Sequence, residues 1–326
     1  MRLEGIHHIT AITAEAQQNV DFYSGVLGLR LVKKSVNQDD TSVYHLFYAD
    51  ETGDPGSDIT FFEYPGLPRG RAGAGMVHQI VWRLTGPEAV DFWERRLADH
   101  GTDVTRHPDS VVFADPEGLI HELRVIETSD EPLIANHPEI PSELALQGFH
   151  AARAYAVDPT RSRALLEDVL GFSPPIKVGP GGKIESRELR GSRRGNYYLY
   201  EPPPPERPLQ GAGTVHHIAW GAQPEEIEAW RQRVAQAGAH PTPVIDRHYF
   251  RSVYFREPSG VLFEIATIGP GFTVDEPVEH LGEKLSLTPQ YEHLRDQIEP
   301  KLTPLCNPRR ELDRAVAEGG RSILRH

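Results

Sequence analysis

The chain has 326 residues, 38% of them apolar and 25% charged, with a formal net charge of −13 and a single cysteine, Cys306. That length allows about two average domains with ample core, while one thiol excludes an internal disulfide and a multi-cysteine zinc site. The acidic balance argues against a nucleic-acid partner. No apolar run reaches the roughly 20 residues that span a bilayer, and the N-terminus lacks a signal-peptide pattern, so a cytoplasmic protein without a membrane partner is expected.

The first predicted element is the strand GIHHIT, which carries His7 and His8. An amphipathic helix follows, because Val20, Phe22, Tyr23, Val26 and Leu27 recur at helical spacing before Gly28. Further strands surround a D-P-G turn at 54–56 and end on T-F-F-E-Y, with Glu63. Beyond a Pro- and Gly-rich break at 65–75 come the strand MVHQIV with His78 and Gln79, a helix over 88–98, an F-x-D-P-x-G turn at 113–118, and Glu122. After a second break at 131–141, GFHAAR carries His150 and Ala151. There Leu165, Leu166 and Val169 mark a helix before Gly171, and a G-P-G-G turn lies at 179–182. A third break, 202–208, precedes TVHHIA with His216 and His217, a helix over 225–236, an F-x-E-P-x-G turn at 255–260, and Glu264. The tail after residue 268 has one predicted helix, 288–301, and a polar end expected to be mobile.

His7, His78, His150 and His216 are separated by 71, 72 and 66 residues, so one supersecondary unit has been copied. The expected fold is α+β: four βαβββ modules in tandem, at about 3–64, 75–128, 147–201 and 212–268. They group into domains 1–130 and 145–268, followed by a tail, 269–326.

The copies act as controls for one another. After the repeated histidine come His8, Gln79, Ala151 and His217, and Glu264 closes its unit where Glu122 closes another. Taken singly, His8 and His217 read more readily as hydrogen-bonded core histidines than as ligands. Together with Glu264 they have the composition of the facial triad that leaves positions open on a divalent metal. The matching set Ala151, Gln79 and Glu122 lacks both nitrogens, so one metal site per chain is expected. Adjacent residues on a regular strand face opposite sides, so His7 and His216, present even where the second histidine is absent, read as structural or supporting rather than as ligands. His8 belongs to the first unit and His217 and Glu264 to the fourth. Those two units must therefore pair around the metal, and the second and third around the empty counterpart.

The repeated unit, G-I-H-H-I-T, V-L-G-L, V-H-H-I-A-W and R-E-P-S-G-V-L-F-E-I-A-T together resemble the vicinal oxygen chelate superfamily over roughly residues 3–305, most closely its hydroquinone 1,2-dioxygenase branch. The resemblance implies Fe(II), with Mn(II) as second choice, on the same three residues, His8, His217 and Glu264. It further implies O2 as co-substrate and ring cleavage of a small hydroquinone-type diol with insertion of both oxygen atoms. Its polar surround falls on His7, Thr10, His216, Arg247 and Tyr254, with His216 and Tyr254 as acid and base and Arg247 stabilising negative charge. Arg247 and Tyr254 stand 17 and 10 residues before Glu264, and the same offsets before Glu122 land on Thr105 and Val112. His248 occupies a place where the family often has an aromatic ring.

Two other readings follow from the same residues. A glyoxalase-like lyase or isomerase would fill its metal with a fourth protein ligand, for which Glu63 is the candidate. A metal-free binding or resistance protein would not need the triad. A homo-oligomer is compatible with either.

Overall fold

The computed structural model describes residues 1–189 and 195–309. The first unit comprises β1 (Ile6–Thr13), α1 (Ala16–Val20) continued by a π-helical turn over Asp21–Val26, β2 (Arg30–Asn37), β3 (Asp40–Ala49) and β4 (Asp58–Glu63). The second has β5 (Val77–Leu84), α2 (Pro87–Asp99), β6 (Val104–Arg106), β7 (Ser110–Ala114) and β8 (Ile120–Val125). In the third, β9 (Phe149–Tyr155) is followed by helical turns at Pro159–Ser162 and Leu165–Leu170, then β10 (Ile176–Val178), β11 (Ile184–Glu188) and β12 (Tyr197–Glu201). The fourth has β13 (Val215–Ala222), α3 (Ile227–Gln236), β14 (Ile245–Asp246), β15 (Arg251–Arg256) and β16 (Leu262–Thr267).

Local chemistry explains these elements. Helix α2 buries Ala89, Val90, Trp93 and Leu97, and α3 buries Ile227, Trp230 and Val234, one stripe each at helical spacing. The helical turns of the first and third units stop at Gly28 (φ 73°) and Gly171 (φ 85°), a left-handed conformation that glycine adopts without a Cβ penalty. Trp82 and Trp220, at corresponding places on β5 and β13, are fully buried.

The sixteen strands of the described residues form two eight-stranded sheets, ordered β14-β15-β16-β13-β1-β4-β3-β2 and β10-β11-β12-β9-β5-β8-β7-β6. The first and fourth units meet through antiparallel β1 and β13, the second and third through β5 and β9. This is the pairing expected for a metal held between the first and fourth units.

All four repeated histidines interrupt their ladders. Pairing passes from Ile6↔Trp220 to His8↔Ala219 and from Thr10↔His217 to Ala11↔Val215, skipping His7 and His216. In the other sheet the same shifts skip His78 and His150. Each histidine is thus the extra residue of a β-bulge, which re-aims the side chains beside it. The opposite-facing rule therefore does not hold at these pairs: the His7 and His8 rings, like those of His216 and His217, turn edge to face.

The tail crosses back to the first unit. Lys34 bridges Leu285, Ser286 N donates to Lys34 O, and Ser35 Oγ donates to Ser286 O, so the outer edge of β2 is covered rather than left to pair with another chain. The single helix expected at 288–301 is instead three short turns, Glu292–Leu294, α4 (Arg295–Ile298) and Glu299–Lys301. Residues 288–291 form a turn closed by Tyr291 N on Thr288 O. The polar end, 310–326, lies outside the described residues. No described helix is long and apolar enough to cross a membrane.

Candidate metal centre

His8 on β1, His217 on β13 and Glu264 on β16 converge on one point of the first sheet's inner face. His8 Nε2 lies 3.3 Å from His217 Nε2, and the two lie 3.2 and 2.9 Å from Glu264 Oε2. All three residues are buried, and among the described residues they form the one such cluster, with donor atoms within 4.8 Å of one another.

The hydrogen bonds around the cluster set its protonation. His7 Nε2 lies 3.2 Å from the Thr267 carbonyl, which can only accept, so that nitrogen carries the proton and His7 Nδ1 is an acceptor. His8 Nδ1, 2.9 Å away, then donates, leaving the His8 Nε2 lone pair aimed at the cluster. The same pairing recurs between His216 Nδ1 and His217 Nδ1 at 2.7 Å. Desolvation, and then His217 beside it, push the His216 pKa down to about 3, the neutral state this short contact requires. Burial opposes charge on Glu264, yet the two imidazoles hold its carboxyl well below the usual range. Ser252 Oγ donates to Glu264 Oε1, and the buried Oε2 is faced by the two imidazole Nε2 atoms. With both rings neutral and deprotonated at Nε2, two imidazole lone pairs and an ionised carboxylate oxygen make a donor set that fits a divalent cation.

The counterpart in the second sheet has been filled differently. Gln79 Nε2 donates to Glu122 Oε2 at 3.0 Å, and the guanidinium groups of Arg124 and Arg153 lie 3.5 and 3.9 Å from its carboxylate. Val81, Ala151 and Leu199 pack together there. Guanidinium and amide groups supply the positive partner to Glu122.

Strand register also identifies the place a fourth ligand would occupy. Ala219, two residues after His217, pairs with Glu264. Thr10, two residues after His8, pairs with Thr60. Thr60 is therefore the counterpart of Glu264, and its hydroxyl bonds to Thr10 Oγ1 (2.8 Å) and His45 Nε2 (2.9 Å). Glu63 lies on the opposite face of β4, where its Oε1 accepts from Ala16 N at the start of α1, so it is not at hand as a ligand.

Thr10, Arg247 and Tyr254 line the cavity over the triad with His45, Phe47, Phe62 and Phe250. The Arg247 guanidinium lies over the Tyr254 ring at 5.5 Å and pairs with Asp39 at 3.0 and 3.2 Å. Burial, with Glu264 nearby, pushes the Tyr254 phenol well above its usual pKa. His7 and His216 do not line this cavity but stand behind the ligand histidines. His248 also lies outside it, at φ 72° and 3.6 Å from Asp275, and the neighbouring Tyr249 and Phe250 rings face the cavity instead. Sequence reasoning missed His45 and left open whether Thr60 faces the cavity, because their alignment with Ser252 and Glu264 appears only in the strand pairing.

A family model described as the Glyoxalase/Bleomycin resistance protein/Dioxygenase superfamily matches residues 5–123 and 148–265. The chain belongs to that superfamily. Among its relatives is MhqO of Bacillus subtilis (strain 168), named as a putative ring-cleaving dioxygenase, 42% identical over 315 residues that cover 95% of this chain and 98% of MhqO. The chlorohydroquinone/hydroquinone 1,2-dioxygenase of Sphingobium indicum is 30% identical over 308 residues, covering 91% of this chain and 95% of that enzyme. The crystal structure of a putative dioxygenase from Bacillus subtilis superposes with a TM-score of 0.87 at 41% identity, covering 94% of this chain and 98% of that one. Glyoxalase I from Zea mays shares the superfamily fold, with a TM-score of 0.58 at 15% identity over 81% of this chain and 92% of its own.

Proposed function

We propose that this superfamily member is an Fe(II)-dependent ring-cleaving dioxygenase that opens a hydroquinone-type aromatic diol and inserts both atoms of O2. The observation that carries the reading is Thr60 at the place corresponding to Glu264: His8, His217 and Glu264 would hold the metal on one side, and among the described residues no fourth protein ligand closes the other. When bound, Fe(II) supplies Lewis acidity that lowers the pKa of a coordinated hydroxyl, together with the redox capacity that oxygen chemistry requires; Mn(II) is the second choice. The 30% identity to a hydroquinone 1,2-dioxygenase supports the diol.

The chain's own residues have separate tasks in this reading. His7 and His216 orient the ligand imidazoles through their Nδ1 contacts. Tyr254, whose raised pKa keeps its proton, serves as a proton donor to the ring oxygen, and Arg247 stabilises negative charge that develops beside it. Thr10 borders the open side. Aromatic rings at Phe47, Phe62 and Phe250 offer apolar walls to a planar substrate.

Oxygen uptake by the Fe(II)-loaded protein with hydroquinone tests the reading. Uptake coupled to ring opening is expected. Tyr254→Phe and Arg247→Ala should each lower kcat by at least about tenfold while metal content is retained. No oxygen consumption with any diol, accompanied by isomerisation of a thiol adduct of an α-ketoaldehyde, would move the assignment to a glyoxalase-like lyase.

A further inference from the structure

Most polar side chains around the cavity already have partners. Arg247 is paired with Asp39, Gln38 Nε2 donates to Arg247 O at 2.8 Å, Asn37 Nδ2 donates to Tyr64 OH at 3.2 Å, and Thr10 is bonded to Thr60. His45 differs. Its Nε2 is held by Thr60 at 2.9 Å, while Nδ1 makes no hydrogen bond among the described residues. The ring sits between Phe47 and Phe62, with centroids 3.9 and 4.4 Å away, and is partly buried in the cavity wall. Nδ1 is therefore a polar atom on an otherwise aromatic stretch of the cavity wall that is left for a ligand to engage.

The place of His45 in the sheet gives that ligand a shape. His45 is on β3, separated from β1 and its ligand His8 by β4, and it pairs with Phe62 where His8 pairs with Asp58, so it stands both across the sheet from His8 and four residues further along β4. An ortho-diol can bring both oxygens to a metal at His8, His217 and Glu264. A para-diol cannot: its second hydroxyl points across the ring, away from the triad, and needs a protein partner there.

We propose that His45 is the specificity-determining residue of this site, hydrogen-bonding through Nδ1 to the ring hydroxyl remote from the metal and thereby selecting para-diols. The inference rests on the dioxygenase reading and adds to it the residue that recognises the para hydroxyl. Burial holds the imidazole well below its ordinary pKa, so the ring is neutral. Whichever tautomer Thr60 imposes, Nδ1 is then either a donor or an acceptor, and a phenolic hydroxyl satisfies both. Thr60, by holding Nε2, acts as a positioning residue for the ring.

The test is calorimetric binding to Mn(II)-loaded protein without oxygen, comparing hydroquinone with phenol, which lacks the second hydroxyl. The wild type should bind hydroquinone about tenfold more tightly than phenol, the worth of one well-made buried hydrogen bond. His45→Phe should bring that ratio to about one at unchanged metal content and phenol affinity. His45→Gln, which keeps a donor and an acceptor, should retain a preference and decides the matter if the phenylalanine variant fails to load metal. A ratio near one in the wild type, or an undiminished ratio in His45→Phe, would overturn the assignment of His45. Failure of the metal-loaded wild type to bind either phenol or hydroquinone would instead overturn the diol-cleaving reading beneath it.

Discussion

Glu264 and Glu122 occupy the same place in two copies of one unit, and their neighbours separate them. Glu264 faces two imidazole nitrogens, whereas Glu122 faces an amide and two guanidinium groups. Elemental analysis should therefore find one divalent ion per chain. Glu264→Ala should lose it and Glu122→Ala should keep it; two tightly held equivalents would contradict the pairing of one live and one altered site. A second residue-scale outcome concerns His121, buried between the first two units. Its Nδ1 accepts from Trp82 Nε1 at 3.1 Å, its Nε2 meets Tyr23 OH at 2.9 Å, and Tyr23 donates to Asp115 at 2.9 Å. Burial pushes His121 down to about 3 and Asp115 up to about 6. A depressed histidine stabilises the fold above its unfolded pKa near 6.5, and that stability is lost as pH falls from there to about 3. Asp115 acts in the opposite sense, because the folded state takes up its proton first, between about 6 and 3.8, and gains stability as pH falls. The two effects offset each other in that window. Asp115→Asn removes the opposing one, so its denaturation midpoint should fall more steeply from pH 6 to 4 than the wild type's, by up to about 1.4 kcal/mol per pH unit. Parallel midpoint curves would refute the assignment.

At the scale of elements, the tail is anchored by backbone fit and by buried charge. Gly282 has φ 72°, and a Cβ there would stand 1.9 Å from Leu31 O, so the chain passes β2 where no other residue fits. The ammonium of Lys33, fully buried, is held by Asp275 at 2.6 Å and by Glu276, both from the tail. Gly282→Ala should cost at least about 2 kcal/mol, since left-handed strain and a backbone clash act together. Denaturant unfolding reads this directly, and a loss within about 0.5 kcal/mol, as at an ordinary surface site, would mean the tail is not closely docked. The bulges are the other element-scale device. In β1 and β13 the bulged histidine turns toward the candidate ligand that follows it, whereas His78 and His150 meet Tyr155 and Tyr197 instead.

For the whole molecule, the triad joins elements more than 200 residues apart in the chain, His8 in the first unit and Glu264 in the fourth. A bound metal therefore ties the two halves of the first sheet together and stabilises the state that binds it. Chelation should lower protection from hydrogen exchange in β1, β13 and β16 and leave β5, β8 and β9 nearly unchanged, because the second sheet holds no comparable cluster among the described residues. Equal loss in both sheets would show that the metal supports the fold globally instead.

By itself the sequence determined the repeat, the α+β modules and the candidate donors, because these depend on local composition and on comparing copies: His8 and His217 stand out against Gln79 and Ala151, and Arg247 and Tyr254 against Thr105 and Val112. Tertiary structure alone decided which faces meet. Counting parity along a strand is off by one past a bulge, so the contacts of His7 with His8 and of His216 with His217 were not legible. Whether Glu63 or Thr60 faces the metal depends on the register between β1 and β4, which local pattern does not encode. The S-V-Y of residues 42–44 invites alignment with S-V-Y at 252–254, yet pairing places Phe47 opposite Thr60 as Tyr254 stands opposite Glu264, making His45 the counterpart of Ser252. The guanidinium groups near Glu122 and the docking of the tail on β2 likewise arise from contacts between distant segments, whose geometry is set by how the units pack rather than by the residues beside them.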